Sequence, residues 1–410
     1  MRRVMAEPSR GSPWLSIIGL GEEGIAGLSP AAAERLSAAR LVFGGTRHLA
    51  LARPLLRGKA HPWPSPFSIA PVLAARGQPV AVLASGDPML HGVGATLLRA
   101  VPPAEALVLP APSAFSLAAA HLGWPLAEAT TLSLHARPQE ALRPHLHPGA
   151  RLLVLTSDAT SPAAIAALLT ADGFGESLVT VLEALGGPQE RIRRTTAEGF
   201  ALPDIHPLNL LALEIAAGPS SRPISRTPGL PDAAFEHDGQ ITKREIRAVT
   251  LSALAPLRGE LLWDIGAGAG SIAIEWMLAD PSLCAIALEP RPDRAARIRR
   301  NALALGVPAL RIVEGTAPTA LADLPPPDAI FLGGGATDPG VMEAVLAALP
   351  SGGRLVANAI TLETEALLLT RHAALGGELL RLAVSRAAPV GGMTGWRPAM
   401  PVTQWSWRKP

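Results

Sequence analysis

The sequence predicts an α/β protein of two domains, and three observations predict it. Both halves alternate short leucine-rich or β-branched runs with alanine-rich helical stretches, the pattern of strands covered by helices. A segment with four prolines, residues 218–232 (GPSSRPISRTPGLPD), interrupts that alternation. Beyond it, three alternating glycines directly follow a strand-like run, an arrangement suited to a ligand-binding turn.

The elements follow in order. Apolar runs predict strands at 15–20, 41–43, 80–84, 152–155 and 208–215. Alanine-rich stretches predict helices at 30–39, where Pro30 suits the first turn, and at 113–122 and 162–170. Proline removes a backbone donor and fixes φ, so neither helix nor central strand continues through 218–231. That stretch is read as a linker between a domain at 13–217 and another at 232–410. In the second domain, strand 261–265 leads to helix 271–278, strand 285–289 and helix 293–305. Strands 310–314 and 329–332, helix 339–348 and strand 354–359 follow. Such a series needs crossover helices and gives a parallel sheet.

Composition narrows the function. Of 410 residues, 48% are hydrophobic and 17% charged, so the chain folds around full cores rather than remaining disordered. The single cysteine, Cys284, excludes a disulfide framework and a multi-cysteine metal site, and no metal is expected. A net charge of +2 without a basic block argues against nucleic acid as partner. No apolar run approaches the length of a membrane span. The start carries Arg2, Arg3, Glu7 and Arg10 and lacks an apolar stretch before Trp14, against a secretory signal, so a cytoplasmic setting is expected.

Chemistry concentrates after strand 261–265. Asp264 closes that strand, and Gly266, Gly268 and Gly270 make D-x-G-x-G-x-G before a helix. Glycines are needed where the backbone turns sharply and a ligand approaches it. Glu289 ends the next strand, where a carboxylate can hold both ribose hydroxyls of an adenosine. A dinucleotide loop, G-x-G-x-x-G, would need its third glycine where Ser271 stands, so the spacing favours S-adenosylmethionine over NAD. Gly315, Thr316 and Ala317, after the third strand, occupy the position that flanks adenine. Gly333, Gly334 and Gly335 end the fourth strand, where a flat substrate could lie against bare backbone. Thr242 and Glu245 fit a capping box, S/T-x-x-E, within the polar cluster 237–245. Arg291, Arg294, Arg297, Arg299 and Arg300 read mainly as a solvated helix face, with Arg291 the candidate for an anion.

In the first half, Gly19, Gly21 and Gly24 formally match G-x-G-x-x-G. The helix starts late, at Pro30, and strand 41–43 ends in Gly44-Gly45 without an acid, so an NAD site is not expected. Ser85–Gly92 and the stretch opened by Ser113 each read as turns or caps.

Together these segments carry a family resemblance. WLSIIGLGEEG (14–24), VFGG (42–45), SGDPMLHG (85–92), SLHAR (133–137) and VLEALGG (181–187) resemble the tetrapyrrole methylase family. PGLP (228–231), residues 235–244, WDIGAGAG (263–270) and EPR (289–291) are similar to the decarboxylating precorrin methylases. The resemblance implies a two-lobed tetrapyrrole methylase fold followed by a Rossmann-like class I methyltransferase fold. It further implies one S-adenosylmethionine per domain, a tetrapyrrole substrate in cobalamin biosynthesis and a homo-oligomer.

For the first domain the resemblance places the donor around Gly86, Asp87 and Ser113, with Gly19 and Gly21 over the tetrapyrrole; this domain methylates carbon 5. For the second it places the donor at Gln240, Thr242, Asp264, Gly266, Gly268, Gly270, Glu289, Gly315, Thr316 and Ala317. The resemblance implies that this domain methylates carbon 15 and removes carbon dioxide from the ring-C acetate. Two departures stand out: Leu90-His91 replaces an aromatic pair, and Phe115 replaces a small polar residue. The chain has no tyrosine, so no phenol assists the chemistry. Glu245, His237 and Asp264 are the candidates for proton transfer. Lys243, Arg244, Arg291, Gly333, Gly334 and Gly335 are the candidate substrate contacts. The rival reading is a methyltransferase of RNA or protein carrying a non-catalytic first domain.

Overall fold

The computed structural model describes residues 13–410; the charged start that argued against a secretory signal lies, at 1–12, outside the described residues. The chain forms two compact units. One runs to Arg137 and resumes at Pro148–Arg222; the other comprises Pro138–His147 and Pro223–Pro410. The proline-rich segment is divided between them and is tied down at both ends. The Gly218 amide donates to the Gly173 carbonyl at 2.9 Å in the first unit. The Gly229 and Leu230 amides donate to the Glu275 carboxylate at 2.6 and 2.9 Å in the second.

The first unit holds two five-stranded sheets. Strands β1 (Leu15–Leu20), β2 (Leu41–Gly44), β3 (Lys59–Pro62), β4 (Val80–Ser85) and β5 (Ala106–Leu109) pair in parallel, in the order β3-β2-β4-β1-β5. β1 is buried at every residue, which is why it reads LSIIGL without alternation. Strands β6 (Thr130–Ser133), β7 (Arg151–Leu155), β8 (Leu178–Glu183), β9 (Arg191–Thr196) and β10 (Asn209–Glu214) form the second sheet, ordered β6-β7-β10-β8-β9. There β10 runs antiparallel to both neighbours.

The second unit is built on one seven-stranded sheet. Its strands are β11 (Leu261–Ile265), β12 (Cys284–Glu289), β13 (Arg311–Glu314), β14 (Ala329–Leu332), β15 (Arg354–Ala359), β16 (Glu378–Leu382) and, beyond the hairpin β17 (Ser385–Val390) and β18 (Met393–Pro398), β19 (Val402–Arg408).

 The order is β13-β12-β11-β14-β15-β19-β16. The first five pair in parallel, as the βαβ series requires. The all-parallel expectation fails at one edge, where β19 is antiparallel to both β15 and β16. The helix Ser271–Ala279 is buried from Ser271 through Trp276, and the Trp276 indole donates to the Cys284 carbonyl at 3.0 Å.

Two local expectations are corrected. The capping box does not form: the helix starts at Arg244 with Lys243 as N-cap and no side-chain cap. The Thr242 carbonyl accepts from Arg247, and the Glu245 carboxylate turns away to Arg386. The arginines of the helix Pro292–Ala304 are not simply solvated. Arg294 and Arg297 both reach Asp238 at 3.0 Å, and Arg300 reaches Glu236 at 2.8 Å, so this helix pins the segment leading into the glycine loop's roof.

Arg247 is wholly buried. It pairs with Glu275, donates to Asp232 at 3.2 Å and to the Leu230 carbonyl, and lies over the Phe235 ring. Removing one partner of a buried pair leaves an uncompensated charge, which costs about 3–5 kcal/mol. Arg247→Met is therefore expected to destabilise the second unit by about that amount. Urea unfolding of the full chain measures it, and a loss below about 1 kcal/mol would show that the pair contributes little.

Candidate functional site

Each unit contains one large cavity at the carboxyl ends of its parallel strands, where open α/β sheets bind ligands. The cavity of the second unit has a volume of about 550 Å³. Its floor is the loop after β11. Gly266 takes φ +72°, and a Cβ there would stand 3.0 Å from the Gly334 amide nitrogen, so two backbones meet with no room for a side chain. Gly268 takes φ +60°, and a Cβ there would meet only the Gln240 carbonyl, at 3.3 Å, before entering the cavity. Bare backbone at that point forms a cradle.

Glu289 closes the cradle. It is 2% exposed, yet both oxygens are satisfied: one accepts the Gly268 amide at 2.8 Å, the other the Arg291 amide at 3.2 Å. Gln240, Thr242, Gly315, Thr316 and Ala317 also line this cavity, as do Lys243, Glu245, Gly333, Gly334 and Gly335. The Gln240 amide donates to Asp238 at 3.1 Å. That bond, with Arg297 and Arg294, holds the Asp238 carboxyl well below the usual carboxylate range.

Other sequence candidates lie elsewhere. Gly270 is spent on packing, since a Cβ would stand 2.7 Å from Ile298. Arg244 is exposed and the Arg291 guanidinium is held by Asp293 at 2.9 Å, and neither lines the cavity. His237 is exposed and its ring accepts the Gly239 amide at 3.1 Å, away from the cavity. Asp264 is 1% exposed and also does not reach the cavity; one oxygen accepts the Ala273 amide at 3.1 Å, bracing a helix start that Gly270 cannot cap. Its other oxygen has no partner. Burial pushes this carboxyl up to about 7; the Ala273 amide opposes the shift and the charge of Glu289 adds to it. Neither His237 nor Asp264 lines the cavity; of the three candidates only Glu245 does, paired with Arg386.

The first unit's cavity has a volume of about 440 Å³. Gly21, Gly86, Asp87 and Ser113 line it. Gly19 does not: a Cβ there would stand 1.9 Å from the Gly86 carbonyl oxygen, so this glycine lets β1 and the Gly86 turn touch. Ser113 accepts the Ser116 amide at 3.1 Å as N-cap of the helix Ala114–Leu122. Asp87 accepts the Met89 amide at 2.9 Å.

Sequence reasoning missed a polar cluster on this wall. Arg47 pairs with Glu22 and donates at 3.0 Å to both the Ser85 hydroxyl and His48 Nε2. A guanidinium can only donate, so Nε2 accepts, and the Ser85 hydroxyl 2.8 Å away donates to it as well. Burial lowers His48 to about 4, Arg47's charge adding, which keeps the ring neutral. In the second unit the reading missed Asn358, at the end of β15. The strand-end rule alone could have found it.

Comparison with known proteins follows the same division. A family described as tetrapyrrole (corrin/porphyrin) methylases matches residues 15–201, and a precorrin methyltransferase domain matches residues 233–409. A Sinorhizobium protein named precorrin-6Y C(5,15)-methyltransferase (decarboxylating) is 59% identical over 406 residues, spanning 98% of this chain and 98% of that protein. A Mycobacterium tuberculosis protein of the same name is 45% identical over 395 residues, spanning 95% of this chain and 98% of that one. Among solved structures, the C-terminal domain of precorrin-6Y C5,15-methyltransferase from Rhodobacter capsulatus is 51% identical. It covers 45% of this chain and 100% of its own, with a TM-score of 0.44.

Asp264 gives this site a pH signature. Its carboxyl is raised from an ordinary 3.8 to about 7, so the folded state favours the neutral acid. The associated stability is full below about pH 4 and is lost as pH rises through 7. Asp264→Asn keeps an acceptor for Ala273 without the charge. The melting temperature of this variant should equal the wild type's near pH 4 and exceed it increasingly towards pH 8. A gap that does not change with pH would show that Asp264 is not held neutral by the fold.

Proposed function

The chain belongs to the precorrin-6Y C(5,15)-methyltransferase (decarboxylating) family, and from that premise we propose how its two cavities divide the work. The enzyme is an S-adenosylmethionine-dependent C-methyltransferase of cobalamin biosynthesis, methylating precorrin-6Y at carbons 5 and 15 with decarboxylation of the ring-C acetate. The comparisons support this and not the RNA or protein alternative.

In our reading each cavity takes its own S-adenosylmethionine. The cradle beneath Glu289 carries the assignment in the second unit, because its geometry fits an adenosyl group. Glu289 would hold the ribose, Gly266 and Gly268 the methionine portion, and Gly315–Ala317 with Gln240 and Thr242 the adenine side and the roof. In the first unit Gly86, Asp87 and Ser113 would hold the donor, with Gly21 facing the macrocycle. When bound, the donor supplies an electrophilic methyl group on sulfur.

The residues of this chain have to align the partners and exclude water. A reduced tetrapyrrole carbon next to a pyrrole nitrogen is enamine-like and already nucleophilic, so alignment can lower the barrier by about 7–11 kcal/mol. Gly333, Gly334 and Gly335 leave a side-chain-free wall for the flat macrocycle, and Lys243 stands at its rim to meet a carboxylate. In this division carbon 5 is methylated in the first unit and carbon 15 in the second, where the acetate is also lost. We further read the enzyme as a cytoplasmic homo-oligomer. No helix among the described residues is long and apolar enough to cross a membrane, and the hairpin β17–β18 exposes Val390, Met393 and Trp396.

Titration of the full chain with S-adenosylhomocysteine by calorimetry tests the two-site reading, and two equivalents are expected. Gly268→Val places a branched side chain in the cradle at a left-handed φ and should reduce the count to one. A wild type that binds one equivalent refutes the paired sites, and unchanged binding in Gly268→Val refutes the cradle.

A further inference from the structure

The second cavity changes character along its length. On the side of β11 and β12 it offers backbone amides, Glu289 and Lys243. Two to four strands beyond β11, about 10–20 Å away at 4.7–4.9 Å per strand, it becomes an apolar wall. Ile360, Leu382, Val384, Met400 and Val402 make that wall, and register places them together: Leu382 pairs with Val402, and Ala359 with Thr403.

The neutral polar side chain bordering this wall is Asn358. Its amide nitrogen donates to the Thr250 hydroxyl at 2.9 Å, and its oxygen accepts from Gln404 at 2.9 Å. Gln404 donates to Thr250 as well, at 2.9 Å, closing a triangle. Thr250 is fully buried and Gln404 is 2% exposed, so the two work only as a brace, and Asn358 alone of the three lines the cavity. Of the neighbouring hairpin's two arginines, Arg386 lines the cavity with its charge paired to Glu245, and Arg397 is not among the lining residues.

Resting on the reading given above, we propose that Asn358 receives the acetate carboxylate that is lost, and that its neutrality is what permits the loss. In that step the bond between the acetate methylene and its carboxylate breaks. The electron pair passes through the methylene carbon into the protonated conjugated macrocycle, carbon dioxide leaves, and the methylene carbon takes a proton from water to become methyl. Negative charge therefore leaves the carboxylate as the transition state is approached. A cation on that carboxylate would bind the ground state more strongly than the transition state and slow the step. A braced amide in an apolar wall fixes the orientation without holding the charge back. Thr250 and Gln404 are positioning residues for it.

The test compares Asn358→Asp and Asn358→Lys with wild type in the full chain, using the reduced precorrin substrate and S-adenosylmethionine. Mass analysis of the product follows carbon dioxide loss separately from each methyl gain. Asn358→Asp keeps the size and can still accept from Gln404 and Thr250; its charge should raise KM for the substrate at least tenfold. Asn358→Lys should lower KM and reduce kcat for carbon dioxide loss at least tenfold. Thr250→Val, which frees the amide, should reduce kcat several-fold with little change in KM.

A merely structural Asn358 would lower the melting temperature of these variants without opposite KM shifts in Asp and Lys, and that result overturns the proposal. So does carbon dioxide loss at the wild-type kcat in Asn358→Lys. Should Asn358→Lys fail to fold, the KM of the isosteric Asp variant decides alone. A wild-type chain that neither methylates nor decarboxylates the substrate would instead defeat the underlying reading, whatever the variants do.

Discussion

The hydrogen bond from the Gly268 amide to Glu289 is the constraint on which the second unit's site depends. It joins the turn after β11 to the end of β12, two parallel strands that pair from Leu261 with Cys284 to Ile265 with Leu288. The turn must keep a left-handed backbone to aim that amide, and the carboxylate must be buried to accept it without competition from water. Once both hold, the Gly334 backbone can approach Gly266, and the ends of β11, β12 and β14 share one surface. Alignment of a methyl group with a carbon nucleophile tolerates little slack, so a floor made of backbone, with few rotatable side chains, suits the task.

The first unit reaches a comparable end by different means. Gly19 lets β1 touch the turn at Gly86, and the Ala111 amide donates to the Gly86 carbonyl at 3.2 Å, so three chain segments converge on the cavity through backbone alone. The polar side chains come afterwards: Ser113 caps a helix, and Arg47, His48, Ser85 and Glu22 form a connected group lining the same cavity. Each unit thus fixes its cavity by close backbone approach and then decorates it with paired polar groups.

How much of this was legible in the sequence depended on burial. β1, β11, β14 and β15 match their predicted bounds, because strands buried along most of their length read as mainly apolar runs even where a polar residue such as Asp264 or Asn358 interrupts them. β9, reading RIRRTT, escaped notice since its arginines are recruited to carboxylates on other strands of its sheet, Arg191 and Arg193 to Glu183 and Arg194 to Glu214. β16 and β19 escaped because they are joined through an exposed hairpin and pair antiparallel, which no βαβ rhythm announces. The capping box shows the converse error. Its spacing was present, but the helix starts one residue later, with Lys243 as N-cap, and a distant partner, Arg386, takes the Glu245 carboxylate.

The two acids at neighbouring strand ends show why site residues were harder to read than elements. Asp264 closes β11 and Glu289 closes β12, and in sequence both look alike, an acid before a glycine or proline turn. The longer side chain of Glu289 reaches across to the Gly268 amide and curls back to Arg291, so both of its oxygens are satisfied at the cavity wall. The shorter Asp264 turns under the loop, meets one amide and leaves an oxygen without a partner, so burial favours its neutral form. A single methylene therefore separates an acid that faces the ligand space from one that braces a helix. Motif spacing locates such acids, whereas their roles follow from which backbone amides lie within reach once the strands have paired.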